Sequence, residues 1–228
     1  MDKTLIISVH GIYSNIDASD AWQLPFDNWL KQTYPTEMAS RDLVHLPFSY
    51  GIAGAVTSWF GLFRLSQMLA VRRYRKFLAA VEANYPGYKV HVIAHSFGTV
   101  LSQEVLYEEM DRIKLSSLHL FGGVISAHVQ NNYLDEMLLT GELEYCVVWS
   151  SHNDEVARFA PPPFGHLGYW GIIRDYEPED RTKPVWQPYE YLKLFNRPTD
   201  YEHNGYFIEP VFQTLLKDIL NGPKTENA

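Results

Sequence analysis

Apolar positions along the chain follow two different periods. Leu5 to Val9 is a short run, apolar except for Ser8, stopped by His10-Gly11; such a run predicts a strand buried on both faces. Leu43 to Tyr50 predicts a second strand, ending at Gly51 and carrying Pro47. Lys89 to Ala94 predicts a third, and the stretches Leu115 to Ser126 and Leu143 to Ser150 each contain another. Between them the period lengthens. Tyr74, Phe77, Leu78, Val81 and Tyr85 recur at helical spacing, and Pro86-Gly87 closes the stripe. Phe97 to Met110 predicts a further helix, and Ile208 to Leu220 the last one, with Pro210 near its first turn. Strands alternating with helices imply crossover units. The expected fold class is therefore α/β, a mostly parallel central sheet with helices on both faces.

Two segments break this rhythm. After Asp154 come Pro161-Pro162-Pro163, then Pro178, Pro184, Pro188 and Pro198, which predict a long loop with short pieces of structure. Tyr189 to Phe195 is the expected last strand. Gly51 to Val71 is mostly apolar and long enough to cross a membrane, but Ser58, Arg64, Ser66, Gln67 and three glycines dilute it. A buried or lid-like helix pair is the expectation. The organisation read from this pattern is one domain over residues 1–220, with lid segments at 51–73 and 158–188 and a flexible tail at 221–228.

A length of 228 residues with 46% hydrophobic content suits one α/β domain with a sizeable core. The net charge of −8 argues against a general nucleic-acid binder. Cys146 is the only cysteine, so no internal disulfide forms. Met1 to Thr4 leads into only five strand-like residues, too few for a secretory signal. Together these favour a reducing, cytoplasmic setting.

The candidate chemistry sits where strand composition gives way to helix composition. Ala94-His95-Ser96-Phe97-Gly98 has the form small-x-Ser-x-Gly. A serine in a sharp strand-to-helix turn is pushed out at the sheet edge, and small neighbours are needed because backbones pass close. The helix start favours developing negative charge, so the Phe97 N–H is a candidate oxyanion donor. The plain alternative is a helix N-cap serine.

A nucleophilic serine needs a base and an orienting acid. Val147-Val148-Trp149-Ser150-Ser151-His152-Asn153-Asp154 reads as a strand followed by a loop bearing a carboxylate. His203-Asn204-Gly205-Tyr206-Phe207 places a histidine just before the last helix. Glu155, Asp180 and Asp200 compete with Asp154, and His152 and His166 with His203. Chain position favours the set Ser96, Asp154, His203, in that order. His10 and His95 flank the serine and read as structural. His91 and His95 span a strand and its turn, so the paired helical histidines of a zinc site are not present.

With these pieces in place the chain resembles the α/β-hydrolase superfamily, particularly its small lipase- or esterase-like members, over nearly its whole length. "LIISVHGI" resembles the early strand and the turn that supplies half the oxyanion hole, and "VIAHSFGT" the nucleophile elbow. "LFGGVIS" resembles the next sheet strand, "VVWSSHNDEV" the acid-bearing strand end and "HNGYF" the histidine loop. Ala94 stands where the family often has glycine, and the early turn lacks the multi-glycine run of some lipases. The resemblance implies a serine hydrolase of carboxylic esters with a Ser96–His203–Asp154 triad and no metal or organic cofactor. The Phe97 and Ile12 N–H groups would form the oxyanion hole, with Tyr13 in reserve for Ile12. An acyltransferase with the same triad and a non-catalytic binding module on the same fold are the alternatives.

The expected partner is a small-molecule or lipid ester. Val56, Trp59, Phe60 and Phe63 form an apolar stripe that could cap an acyl pocket, and Tyr13, Trp59, Phe63 and Trp170 are the pocket candidates. Trp186 and Tyr189 join Trp170 as aromatics of the proline-rich stretch. Arg64, Arg72, Arg73, Arg75 and Lys76 suit either peripheral contact with anionic membrane head groups or an ordinary solvated helix face. The oligomeric state has no signature in the sequence.

Overall fold

Alternation along each strand sends two apolar sets to opposite faces of one sheet. The computed structural model describes residues 2–11, 22–50, 63–108, 114–128, 134–160, 164–173 and 193–223. Among these, six strands pair in parallel: β1 (Thr4–Val9), β2 (Leu43–Phe48), β3 (Lys89–His95), β4 (Ser117–Phe121), β5 (Cys146–Ser151) and β6 (Leu194–Thr199). Their spatial order is β2-β1-β3-β4-β5-β6. The mostly parallel sheet expected from the sequence is present and wholly parallel among the described strands.

On the first face Leu5, Ile7, Val92, Leu120 and Val148 pack against Tyr74 and Leu78 of α3 (Phe63–Asn84) and Leu101 and Val105 of α4 (Phe97–Glu108). On the second face Ile6, Ile93, Val147 and Trp149 meet Phe26 and Leu30 of α1 (Gln23–Thr33) and Phe212 and Leu215 of α8 (Glu209–Asn221). Short helices fill the connections: α2 (Pro35–Ser40), α5 (Leu134–Thr140), α6 (Glu155–Arg158) and α7 (Leu167–Trp170).

Several boundaries differ from expectation. The last strand is Leu194–Thr199, later than the apolar run suggested, and it contains Pro198. The helical stripe from Tyr74 to Val81 lies in the second half of one 22-residue helix, α3, with Tyr85 just past its end, and the helix takes in the end of the apolar segment as well. No helix among the described residues is long and apolar enough to cross a membrane. Pro47 and Pro198 both lie in edge strands, where a sheet tolerates a residue without an N–H. The ladders run Thr4 N–H to Asp42 C=O and Cys146 N–H to Lys193 C=O. Alternate residues face alternate sides, so even positions of β2 and odd positions of β6 face inward. Both prolines therefore turn their nitrogens away from the neighbouring described strand.

The second face also holds a polar chain that runs from the buried Ser8, Gln23 and His45 to the partly exposed Asp27. Ser8 Oγ lies 2.8 Å from His45 Nε2, and His45 Nδ1 lies 3.1 Å from Asp27 Oδ1. Gln23 Nε2 donates to Ser8 Oγ at 3.0 Å and to the Ser8 carbonyl at 2.7 Å. These bonds tie α1 to β1 and β2. The His45 hydrogen bond, helped by Lys31 at 2.5 Å, lowers the Asp27 pKa to about 2 from 3.8. A depressed carboxylate pKa adds stability above the unfolded value and loses it as pH falls through the folded one. Denaturant titration should therefore show wild type losing part of its stability between pH 3.8 and 2. Asp27→Asn should be less stable at pH 7 and show a flatter profile across that window.

Candidate active site

The chain leaves β1 toward α1 on the second face and leaves β3 toward α4 on the first, although β1 and β3 are neighbours. Such a switch opens a crevice beyond the carboxyl ends of those two strands. Val9 pairs with Ala94, so Gly11 and Ser96 arrive there together. Ser96 has φ of +53°, a left-handed backbone for a residue with a Cβ. Its N–H donates to the Phe121 carbonyl at 3.0 Å, and its carbonyl accepts from Thr99 N at 3.0 Å and Thr99 Oγ1 at 2.6 Å. Glycine at position 98 is dictated by contact: a Cβ there would stand 2.6 Å from the Val9 carbonyl oxygen and 2.8 Å from that of His10. Gly11 passes over the serine, since a Cβ on it would lie 3.3 Å from Ser96 Oγ. Phe97 begins α4, so its N–H belongs to the first turn, whose amides point out of the helix end.

Asp154 is fully buried beyond β5 and holds four contacts. Both of its oxygens lie 2.9 Å from His203 Nδ1. Oδ1 also accepts from Ala157 N at 2.8 Å, capping α6, and Oδ2 accepts from the Tyr206 hydroxyl at 3.2 Å. Burial, followed by the Asp154 charge, raises the Tyr206 pKa, so that hydroxyl stays a donor. A carboxylate facing Nδ1 places the proton on that nitrogen and leaves Nε2 as the basic one. Among the described residues no hydrogen bond joins Ser96 Oγ to His203; catalytic hydrogen bonds are often long before substrate is bound.

The structure thus brings Ser96, Phe97, Asp154 and His203 to one edge of the sheet. Ile12, Tyr13 and Trp59 lie outside the described residues, as does the side chain of Phe63. Trp170 lines a groove of about 1280 Å³ between α3, α4 and the chain after β4. The groove starts one helical turn from Ser96, at Val100, and passes Val124, Ile125 and Phe164. Of the rival acids and bases, His152 packs edge-on against Tyr169 and Trp170, and His166 Nδ1 donates to the Ala157 carbonyl at 2.8 Å. His10 stacks on Tyr50 at 4.5 Å, its carbonyl accepts the Tyr50 hydroxyl, and its ring bonds the Gly11 carbonyl, so it braces the turn below the serine.

Two contributors escaped the sequence analysis. Tyr206 was visible only as part of the histidine loop. Gly122, with φ of +51°, follows β4 directly and lies against the acid–base pair. A Cβ on it would stand 2.8 Å from Asp154 Oδ2 and 2.9 Å from His203 Nδ1. Its signal was the Gly122-Gly123 pair at a strand end, which serves close approach as well as turning. Gly122→Ala should cost about 3 kcal/mol or more in chemical denaturation, because it parts the buried hydrogen bond between the Asp154 carboxylate and the His203 imidazole as well as straining the backbone. Gly87→Ala, at φ of +78° with open space around it, should show only the backbone cost, roughly 1–2 kcal/mol.

No family model matches the sequence, and no curated protein does. Solved structures do. An esterase domain from Rhodothermus marinus is similar at 11% identity and a TM-score of 0.51, covering 97% of this chain and 85% of its own. A protein from Agrobacterium vitis S4 described as a hydrolase has the same identity and score, with coverage of 96% and 88%. A protein from Lactobacillus plantarum WCFS1 described as a cell-surface hydrolase is 13% identical at a TM-score of 0.50, with coverage of 99% and 94%. At such identities the likeness is one of fold, and together with the parallel sheet it establishes that this chain carries the α/β-hydrolase fold.

Proposed function

We propose that the chain is a serine hydrolase of carboxylic esters that works through an acyl-enzyme on Ser96. One observation carries the reading: a partly exposed serine strained into left-handed backbone shares a sheet edge with a histidine whose Nδ1 faces a buried carboxylate. Strain of this kind is stored where structure over-determines it, commonly at functional sites. His203 Nε2 takes the Ser96 proton as Oγ attacks the ester carbonyl. The Phe97 N–H, at the positive end of α4, stabilises the oxyanion, and Ile12 is the sequence candidate for the second donor. Asp154 holds the imidazole and offsets the charge it gains. The protonated His203 then protonates the leaving alkoxide, and water, activated by His203, releases the acid.

The groove beside α4 is large enough for a substrate bulkier than a short ester, with Val100, Val124 and Ile125 for an apolar portion. Peripheral contact with lipid belongs to the same reading and falls on the exposed side of α3, where Leu69 stands with Arg72 and Lys76, and Met68 and Arg72 continue onto the rim of the groove. Acyl transfer uses the same groups, and is separated from hydrolysis by whether an added alcohol captures the acyl group faster than water does.

Incubation with a fluorophosphonate followed by mass spectrometry should place the label on Ser96. Ser96→Ala should remove it and lower ester turnover by about 10⁴-fold or more. Well-folded wild type that neither labels nor hydrolyses any short- or medium-chain ester would overturn the reading in favour of a binding module. In vesicle sedimentation the protein should bind phosphatidylglycerol over phosphatidylcholine. Arg72→Gln with Lys76→Gln should weaken that binding roughly tenfold or more, at about 1 kcal/mol per basic residue.

A further inference from the structure

The imidazole of His203 is held from two sides, and only one of them is the carboxylate. His95, the last residue of β3, is 3% exposed and projects to the second face of the sheet. Its Nε2 lies 2.9 Å from the carbonyl oxygen of His203. A carbonyl only accepts, so Nε2 carries the proton. The rings of His95 and His203 sit 4.7 Å apart. Phe207 meets the His95 ring edge-on at 4.9 Å and itself stacks on Trp22 at 4.1 Å. The loop from His203 to Phe207 is therefore fastened at its start by His95 and at its end by aromatic packing.

We propose that His95 is a positioning residue that hangs the backbone of His203 from the residue directly before Ser96, and so sets the distance between hydroxyl and imidazole. The proposal rests on the reading of Ser96 as nucleophile. Asp154 fixes the rotation of the imidazole through Nδ1, while His95 fixes the backbone from which the imidazole projects. Packing alone does not account for a histidine here. Among the described residues its buried Nδ1 has no hydrogen-bond partner, a cost that leucine or phenylalanine in the same space would avoid. Burial, and then the neighbouring His203, push the His95 pKa down to about 3, so the ring is an uncharged donor. A charged ring there would oppose the imidazolium that His203 forms when it takes the serine proton.

The test compares His95→Gln, His95→Asn and His95→Leu in the full chain. A glutamine amide reaches the place of the imidazole Nε2–H; an asparagine amide stops near Nδ1, and leucine offers no donor. Labelling of Ser96 by a fluorophosphonate, per folded molecule, should slow roughly 10- to 100-fold in the Asn and Leu variants and stay within about threefold of wild type in the Gln variant, a size expected of misplaced reacting groups. Ester hydrolysis should lose kcat in the same order with KM little changed. Equal rates in the Gln and Asn variants at equal melting temperature overturn the proposal, as does a Leu variant that labels like wild type. Should the Leu variant fail to fold, the Gln–Asn comparison decides alone. Wild type that does not label at Ser96 sinks the hydrolase reading and this proposal together; labelled wild type with indifferent variants sinks the positioning role only.

Discussion

The turn at Ser96 is the constraint around which the rest of the site is arranged. Left-handed backbone at a residue with a side chain costs roughly 1–2 kcal/mol, and it persists because its surroundings leave no alternative. The Ser96 amide is held by the end of β4 and its carbonyl by two groups of Thr99. Helix α4 must then start at once, so close under β1 that position 98 has no room for a Cβ. Thr99 Oγ1 in turn accepts the Val124 N–H at 3.2 Å, which binds the chain after β4 to the same turn. The geometry of one residue thus propagates into three strand ends.

The second requirement is a charge in a dry place. Asp154 is fully buried, and an isolated carboxylate there would be prohibitively costly. Its lone pairs are satisfied by an imidazole, a phenol and a helix N-terminus. Because the same carboxylate caps α6, the short helix and the histidine loop are both referenced to one side chain. The fold contains a superficially equal chain, Ser8–His45–Asp27, with the residues in the same sequence order. It differs in what surrounds the hydroxyl: Ser8 lies inside a strand, fully buried, with an amide from Gln23 on its oxygen. One arrangement stitches layers together, and the other faces a crevice. Residue identity does not distinguish them; backbone conformation and access do.

The parallel sheet, the elbow and the order of Ser96, Asp154 and His203 were legible because each is written locally: a buried run, a small-x-Ser-x-Gly window, a carboxylate after a strand. Helix α1 was not, because Gln23, Asp27 and Lys31 share it with a sparse apolar set of Phe26, Leu30 and neighbours. The last strand was misplaced because Leu194–Thr199 carries asparagine, arginine and proline, and only its position at the sheet edge makes that composition acceptable. Gly122 and the His95–His203 bond were beyond reach for a different reason. Both depend on residues 32 to 108 positions apart meeting, and no local pattern encodes that meeting.

The two edge prolines bear on how the molecule meets other chains. Along β2 the outward positions end in Pro47, and along β6 they end in Pro198, each near the carboxyl end of its strand. A foreign strand laid against either margin would find its ladder of donors cut off at the end where the crevice opens. Among the described strands, growth of the sheet by edge-to-edge pairing is thereby discouraged on both flanks at the end where the crevice opens.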